Sequence, residues 1–363
     1  MAVLEQIALN FIPGIGCVTA RALIEGFGTA EEVFAAKKSK LLTIQGVGER
    51  TAGLIARKQC FARAEKEVEF IDRHMITPLF FTEDRFPARL RNCYDAPAML
   101  YYKGPAALNA KKVVSIVGTR NATPYGRELV KHLVADLHEK GILVVSGLAH
   151  GVDGLAHRAC VKNGVSTIGV LGHGLDRVYP LQHRDLAERM LENGGLLTEF
   201  PSGTKPDREN FPKRNRIIAG MADATIVVEA GVKGGALITA DLANSYNRDV
   251  FAFPGDVFSE YSAGCNFLIK TNRAHLVSRF RDIEYLLGWT DHSPAKPKQT
   301  ALLLNFTEEE RLVTDILQAD GATSIDDLCF KAQTPQSKMV VVLLGLEMQG
   351  IVVSMPGKLF RMA

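Results

Sequence analysis

Six apolar, β-rich segments alternate with amphipathic stretches between residues 112 and 288. They are VVSIVG, ILVVSG, VSTIGVLG, GLLTEF, ATIVVEA and DVFAFPG, and each is separated from the next by enough chain for a helix. Continuous apolar strands joined by crossover helices are typical of a parallel sheet that is covered on both faces. The pattern therefore predicts an α/β fold with an extended Rossmann-like parallel-sheet core over residues 112–288.

The N-terminal residues repeat one short pattern. IPGIGCVTARALIEGFG (12–28) and IQGVGERTAGLIARK (44–58) each run from an apolar residue through a G-x-G turn into an amphipathic helix. The repeat predicts an all-α tandem helix-hairpin-helix (SAM-like) domain over residues 1–64, followed by a connector over residues 65–111. Glycines in such hairpins let the backbone approach a phosphate. Because phosphate contacts also need nearby cations, a packing or protein-docking role stays equally open.

The C-terminal residues change the pattern again. Residues 289–304 form a Pro- and Lys-rich linker, and residues 305–363 follow with a helix, a short helix, a longer helix from about Thr334 and two strands around MPGK. That order is typical of a winged-helix domain. The long helix brings one cation, Lys338, whereas a helix that reads base edges brings several polar side chains. We therefore expect a packing or protein-contact role for it.

Composition limits the classes of function. The net charge of the 363 residues is only +3, so a nucleic acid would have to be bound by local clusters of cations. The six cysteines are scattered without CxxC or zinc-ligand spacing, which indicates reduced thiols and no metal site. No apolar run reaches the length of a membrane span, and MAVLEQIALNFIPG lacks the basic start of a signal peptide. We therefore expect a cytoplasmic protein without a membrane partner.

Ligands of an open α/β sheet sit outside the carboxyl ends of its strands. After the first strand, GTRNATPYG (118–126) offers a glycine turn, the Thr119 hydroxyl and the Arg120 guanidinium, which are donors suited to a phosphate. Neither the G-x-G-x-x-G nor the G-x-x-x-x-G-K-[ST] motif occurs, so no cofactor is expected. A turn with an exposed arginine is the alternative interpretation.

The second strand runs into SGLAHGVDGLAHRA (146–159), whose small residues allow close approach of a backbone. Within it, His150, Asp153 and His157 have the spacing of one helical face. Because no fourth ligand or metal motif accompanies them, a hydrogen-bonded network at the start of the helix is favoured over a metal site.

A later turn, EAGVKGGALITA (229–240), places Lys233 and two glycines before a helix, which again suits an anion. The sequence contains no G-x-S-x-G nucleophile elbow, no HExxH and no evident nucleophile paired with a base. The predicted site is therefore built to bind phosphates, and we expect no enzymatic activity.

The densest cluster of cations is TKPDRENFPKRNRII (204–218), which holds five Lys or Arg side chains around Phe211. We expect this cluster, Arg120 and Lys233 to line one rim. Cations along a backbone beside an aromatic ring are a means of binding single-stranded nucleic acid; a core role for Phe211 stays open because most phenylalanines are buried. The candidate DNA-binding residues are Gly118, Thr119, Arg120, Ser146, Gly147, Gly151, Lys205, Arg208, Phe211, Lys213, Arg214, Asn215, Arg216, Lys233, Gly234 and Gly235.

Five ordered motifs resemble the DNA processing protein A family (DprA, also called Smf). They are SIVGTRNATPYG, VVSGLAHGVDGLAHRA, GVLGHGLDRVYP, TEFPSGTKPDRENFPKRNRIIAG and GGALITADLA. The resemblance covers the whole Rossmann-like core, and the flanking units agree with longer members. It implies a single-stranded DNA-binding protein that protects incoming DNA and loads the recombinase RecA during natural transformation or recombination. It also implies a homodimer formed through the core domain and no catalytic activity.

The family's phosphate motif, G-[ST]-R, falls on Gly118, Thr119 and Arg120. Its basic residue three positions before the aromatic ring falls on Arg208, where members have lysine; the charge is kept but the donor geometry differs. A further lysine that some members carry after YP is replaced here by Leu181, so that contact is not carried over.

One enzyme class is the alternative: a nucleotide-binding phosphoribohydrolase of the lysine-decarboxylase-like type. Such enzymes carry P-G-G-x-G-T-x-x-E with a catalytic glutamate. Here KGGALITAD lacks the second-position glycine and has no glutamate at that spacing. A purely structural scaffold is disfavoured by the basic rim.

The expected dimer draws partly on GCNFLIKTNRAHLV (264–277). Its Phe267, Leu268 and Ile269 are many apolar residues for one surface helix to hide. Plain core packing explains them nearly as well, so both interpretations stay open.

Overall fold

A computed structural model of the chain describes residues 2–289, 306–355 and 359–363. The chain divides into two compact units, Met1–Thr290 and Asp291–Ala363. Apart from Trp289, the predicted linker over residues 289–304 lies outside the described residues, and the predicted domain boundaries stay predictions. Within the described ranges, no helix combines the length and the apolarity that crossing a bilayer requires.

The first unit begins with the short helices that the G-x-G repeat predicts. Gly14 and Gly46 in the two turns have φ values of 87° and 84°, a backbone conformation that glycine adopts without a Cβ clash. Each turn leads through a glycine N-cap into a helix. The helices of this region are α1 (Ala2–Asn10), α2 (Cys17–Phe27), α3 (Ala30–Ala35), α4 (Lys38–Leu41), α5 (Glu49–Arg57) and α6 (Phe61–Arg73).

A nine-stranded sheet forms the centre of the first unit. Its strands are β1 (Thr77–Phe80), β2 (Met99–Lys103), β3 (Lys112–Val117), β4 (Ile142–Ser146), β5 (Thr167–Val170), β6 (Gly195–Thr198), β7 (Ala224–Val227), β8 (Asp249–Ala252) and β9 (His275–Leu276). They lie in the order β1-β2-β6-β5-β4-β3-β7-β8-β9. The six predicted apolar segments are β3 to β8, and all their mutual pairings are parallel. The predicted α/β class with a parallel core is therefore confirmed.

The segment predicted as a connector, residues 65–111, adds two strands to this sheet. β1 pairs antiparallel with β2, and β2 pairs antiparallel with β6, where Tyr101 lies opposite Thr198. The sheet is therefore mixed at this edge and not purely parallel. The added pair covers β6, whose backbone groups would otherwise face water as an unpaired edge.

Alternate strand residues enter two separate cores, one on each side of the sheet. In β3, Val113 and Val117 belong to one core, while Val114 and Ile116 belong to the other, because side chains alternate along a strand. All four are buried. The helices that flank the sheet are α7 (Ala88–Arg91), α8 (Pro124–Asp136), α9 (Val152–Lys162), α10 (Arg184–Met190), α11 (Asn210–Met221), α12 (Gly235–Ser245), α13 (Ala263–Lys270) and α14 (Phe280–Leu286), with a 3₁₀ turn at Leu181–His183.

The second unit has the predicted winged-helix order. Its helices are α15 (Glu308–Asp320), α16 (Ile325–Lys331) and α17 (Gln336–Met348), and its strands are β10 (Thr323–Ser324), β11 (Val352–Met355) and β12 (Leu359–Met362). The strands form a sheet in the order β10-β12-β11. Val313, Leu328 and Leu343 are part of a core of its own.

Candidate nucleic-acid interface

The turn after β3 is held by hydrogen bonds on both sides. The Thr119 N–H donates to the Glu229 carbonyl (2.7 Å), and the Thr119 carbonyl accepts from the Val152 N–H (3.1 Å). The hydroxyl of Thr119 accepts from the Asn121 N–H (3.2 Å). Because its backbone is fixed in this way, the turn presents the exposed Arg120 side chain at the carboxyl edge of the sheet.

Gly151 lets α9 begin against this turn. Its φ of 75° is in the left-handed region, and a Cβ there would collide with the carbonyl of Thr119 and the backbone of Arg120. Only glycine allows the two loops to pack this closely. The close approach predicted for Gly151 is therefore made to protein backbone, and an approach to a phosphate stays a prediction.

The N-terminus of α8 is capped by two protein groups. Thr123 Oγ1 accepts from the Gly126 N–H (3.3 Å), and the Glu229 carboxylate accepts from the N–H (3.0 Å) and the hydroxyl (2.6 Å) of Thr123. Glu229 is buried, and its capping role was not predicted from the sequence. Because these groups already occupy the N-terminus of α8, a phosphate contact of this turn is expected only from Thr119 and Arg120, and it stays a prediction.

Phe211, Tyr179 and Arg120 form the centre of the candidate site. Phe211 is half-buried, and its ring packs over Gly172, where an added Cβ would lie 3.0 Å from the ring. The Arg120 guanidinium lies 5.7 Å from the Phe211 ring centroid, and the Tyr179 ring lies 5.9 Å from it at 35°. Tyr179 is 50% exposed. Tyr179 is not among the residues predicted from the sequence; its place in a loop after a predicted strand is the signal that marks it.

Exposed cations occupy the loop before α11, its first turn and the turn before α12. Lys205, Arg208, Lys213 and Lys233 are exposed, and none of them forms a salt bridge with another described residue. Their charge is therefore available to an anionic ligand. Leu181 is 73% exposed and adds no charge where some family members carry lysine.

The structure corrects the predicted rim position of Arg214. Arg214 is 4% exposed, and its guanidinium donates to the carbonyls of Gly147 and Val170. A Cβ at Gly147 would overlap this guanidinium and the Asp153 carboxylate. Burial raises the pKa of Asp153, an effect that Arg214 opposes, and burial lowers the pKa of Arg214 to about 10. Arg214 is thus a structural cation, and Gly147 leaves the space that it needs.

Ser146 and Asn215 are also removed from the surface. Ser146 is fully buried, and its hydroxyl donates to the Ile116 carbonyl (2.6 Å). Asn215 is 9% exposed, and its amide donates to the Gly235 carbonyl (3.4 Å). These two residues, predicted as contacts, position neighbouring backbone instead. Gly234 is the N-cap of α12, so the predicted anion-ready helix start is present there.

Arg216 is bonded to protein partners. Its guanidinium forms an ion pair with Glu199 and donates to the Asp95 carbonyl. Burial raises the pKa of Glu199, and Arg216 opposes that shift. Of the five cations predicted at the rim around Phe211, Arg216 is therefore the second that is structural.

His157 belongs to a buried hydrogen-bonded network. Its Nδ1 lies 2.7 Å from Thr167 Oγ1, and its ring is fully buried. Burial, with the neighbouring His183, lowers the pKa of His157 to about 3. His150, which the spacing predicts on the same helical face, lies before α9 and is exposed, with its ring 5.2 Å from that of His183.

The apolar residues on which the expected dimer partly depends lie on α13 and differ in burial. Leu268 is fully buried in the core and Ile269 is partly buried against it. Phe267 is 40% exposed. Of these three residues, Phe267 offers the largest apolar surface to a second chain.

Three family models match the chain. The model of the DNA recombination-mediator protein A family covers residues 77–288, that of the SAM-like helix-hairpin-helix tandem covers residues 7–58, and that of the DprA winged helix domain covers residues 293–358. The first match begins at β1, so the two strands of the predicted connector lie within the region that this family shares.

Two relatives and two solved structures are similar over much of the chain. A putative DNA processing protein DprA from Mycobacterium tuberculosis is 35% identical over 352 residues, which cover 92% of this chain and 88% of the relative. Protein Smf from Escherichia coli is 35% identical over 287 residues, which cover 76% and 75%.

DprA from Streptococcus pneumoniae has a TM-score of 0.66 at 30% identity, covering 78% of this chain and 96% of that one. DNA processing protein A from Helicobacter pylori has a TM-score of 0.54 at 27% identity, covering 59% and 96%. Family model, sequence relatives and solved structures agree, and the chain belongs to the DNA recombination-mediator protein A family.

Proposed function

We propose that the protein binds single-stranded DNA at the carboxyl edge of its parallel strands. The observation that carries the proposal is the half-buried Phe211 ring, which lies beside the Arg120 guanidinium and the exposed Tyr179 ring. A reachable ring next to an exposed cation suits a stacked base with its phosphate alongside. The Helicobacter pylori relative, whose structure is described in terms of its single-stranded DNA binding mode, supports the same ligand.

The binding mechanism follows from the exposed groups. Cations such as Arg208 and Lys213 neutralise backbone phosphates and release their counterions, while Phe211 stacks on whichever base faces it. A duplex offers phosphates but keeps its bases stacked in the helix. We therefore expect a preference for single strands and little dependence on sequence, because phosphate contacts and stacking do not read base edges.

The proposed cellular role is to protect incoming single strands and to load the recombinase RecA onto them, in the cytoplasm, during natural transformation or recombination. A homodimer formed through the core is part of the proposal, and the exposed Phe267 supports it. The proposal assigns binding without catalysis: Glu229, a carboxylate beside the phosphate motif, is used as a helix cap.

A titration of labelled oligo-dT and of a duplex of equal length, at two salt concentrations, tests the proposal. We expect the single strand to bind more tightly and both affinities to fall as salt rises. Equal or tighter binding of the duplex would contradict it. Incubation with nucleoside monophosphates, followed by an assay for released base, tests the phosphoribohydrolase alternative, and we expect no release.

Light scattering tests the dimer. We expect twice the 39.7 kDa of one chain at micromolar concentration, and a shift towards the mass of one chain in Phe267→Glu, because a buried unpaired charge opposes association.

Recovery of RecA filaments on oligo-dT coated with a single-strand-binding protein tests the loading role.

A further inference from the structure

Residues 199–209, between β6 and α11, form a loop that carries Lys205 and Arg208 and is called the cationic loop below. Two residues of α6 hold its first part in place. Glu67 is 1% exposed, and its carboxylate accepts hydrogen bonds from the N–H (2.8 Å) and the hydroxyl (2.6 Å) of Ser202. Arg63, one turn earlier, pairs with Glu67 (2.9 Å) and donates to the Ser202 carbonyl (2.6 Å). The N–H, the carbonyl and the hydroxyl of Ser202 are thus all bonded to one helix of the N-terminal region.

Arg63, Glu67 and Ser202 form a joint between α6 and the cationic loop, in which the buried Glu67 carboxylate has both an ion-pair partner and hydrogen-bond donors. A carboxylate removed from water is stable only when it is paired and hydrogen-bonded, and Glu67 has both kinds of partner. The Arg63 guanidinium also lies 4.9 Å from the ring centroid of Phe11, so the arginine is itself fixed. Hydrogen bonds to charged groups are about twice as strong as neutral ones, and the joint contains several.

The loop after β5 holds the same segment from a second direction. The Gly203 N–H donates to the Asp176 carboxylate (3.0 Å), and the Gly174 N–H donates to the Thr204 carbonyl (3.2 Å). Three consecutive residues of the cationic loop are therefore fixed by two separate parts of the first unit. The exposed cations follow immediately, beginning with Lys205.

We propose that Glu67 is a positioning residue for DNA binding, which acts through Ser202 to hold the cationic loop in its binding geometry. The inference rests on the proposed function. A loop that is ordered before the ligand arrives loses less conformational freedom on binding, so the affinity for a single strand is higher with the joint than without it. The N-terminal helices thereby contribute to DNA binding through a protein contact.

Glu67→Ala and Glu67→Gln in the full chain test the proposal, with Glu69→Ala as the matched control. Glu69 is exposed on the same helix, and its loss changes the net charge equally. Because loss of a negative charge by itself favours DNA binding, Glu69→Ala should bind oligo-dT at least as tightly as wild type. Glu67→Ala should bind about tenfold more weakly, through the added ordering cost. Glu67→Gln keeps an acceptor for Ser202, so its oligo-dT affinity should lie between those of wild type and Glu67→Ala.

A double-mutant cycle separates positioning from a general loss of stability. In a chain in which Lys205 and Arg208 are already alanine, Glu67→Ala should weaken binding by less than about twofold, because residues that act through one another are not additive. Equal losses in both backgrounds overturn the inference.

Hydrogen exchange without DNA gives an independent readout. The amides of Ser202 and Gly203 should exchange faster in Glu67→Ala and not in Glu69→Ala, while the amides of β3 stay protected in both. Unchanged exchange at Ser202 overturns the inference.

The two proposals fail in different ways. A wild-type chain that does not bind oligo-dT overturns the proposed function and this inference with it, whereas wild-type affinity in Glu67→Ala overturns the inference alone. If Glu67→Ala does not fold, Ser202→Ala takes its place, because it removes one hydrogen bond of Glu67 and leaves the ion pair. Unchanged affinity and exchange in Ser202→Ala again overturn the inference.

Discussion

Lys213 and Arg214 are neighbours in the sequence, yet one lies in water and the other inside the domain. We predict that Lys213→Ala weakens oligo-dT binding without changing the melting temperature. Arg214→Ala should destabilise the fold by roughly 2–6 kcal/mol, because the buried carbonyls of Gly147 and Val170 each lose their charged donor. Denaturant unfolding and oligo-dT titration measure the two effects. A stable Arg214→Ala with weakened binding would assign Arg214 to the ligand after all.

Phe211 is half-buried, so affinity and stability can be separated at this residue. Phe211→Ala should cost roughly 1–3 kcal/mol of single-strand affinity with little loss of stability. Phe211→Trp should keep or raise the affinity, because indole offers a larger stacking face. Melting temperature and oligo-dT affinity are measured on both variants. A large drop in melting temperature for both, with normal affinity in the folded fraction, would show that the ring serves packing.

Arg120 is exposed at the end of a rigid turn, so its charge can be removed without disturbing the core. Arg120→Ala should weaken binding for all oligonucleotide sequences alike. The slope of log affinity against log salt should become shallower by about one unit or less, because one phosphate contact is lost. Arg281→Ala, an exposed arginine of α14, is the control and should leave the slope unchanged. A wild-type slope in Arg120→Ala would remove this residue from the site.

Among the elements, β3 to β8 could be predicted because each is a continuous apolar run that ends at a turn. β1 and β2 could not, since TPLF and MLYYK stand among turn-forming residues. In addition, β2 joins the parallel strands through β6, which lies far along the chain. The local sequence pattern therefore predicts strands that pack between helices. Strands added at an edge of the sheet form by pairing with distant partners, which the local sequence does not reveal.

The candidate site could be predicted as far as its exposed loops, but not on the buried face of α11. Arg214, Ile217 and Met221 follow one another at the spacing of one helical face and are all buried. The same spacing marks Arg214 as inward-facing, although the density of charge around it suggests a rim. Tyr179 was missed for a different reason: its contact with Phe211 joins a loop to the first turn of α11, and the two are separate in sequence.

Helix α9 gives the first unit a specific dependence on pH. The folded pKa of His157 is about 3, below the value of about 6.5 of an unfolded histidine. Between these pKa values the unfolded chain binds more protons than the folded chain. The contribution of His157 to the free energy of unfolding is therefore fully present above the unfolded pKa and decreases as pH falls below it. Between pH 7 and pH 5, wild type should lose about 2 kcal/mol more than His157→Asn, which keeps a partner for Thr167. Equal losses in denaturant unfolding would contradict this prediction.

At the scale of the whole molecule, the candidate site lies within the first unit and depends on local charge, since the net charge is only +3. Because this unit has its own core, it should fold alone. We predict that a chain ending at Thr290 keeps the oligo-dT affinity and the pH dependence of the full chain. Titration and denaturant unfolding of this shortened chain check the prediction, and a large loss of affinity would place part of the binding surface in Asp291–Ala363.

The pairing of β2 with β6 has a consequence for synthesis of the chain. Tyr101 lies opposite Thr198, so β2 leaves the ribosome about 95 residues before its neighbour, roughly 5–20 seconds at ordinary translation rates. During that interval the N-terminal helices are complete in sequence, while the β1–β2 pair presents an open edge and apolar side chains. An open edge of this kind is a template for aggregation. β1 and β2, which cover the β6 edge in the finished protein, are therefore the part of the nascent chain that chaperones would need to shield.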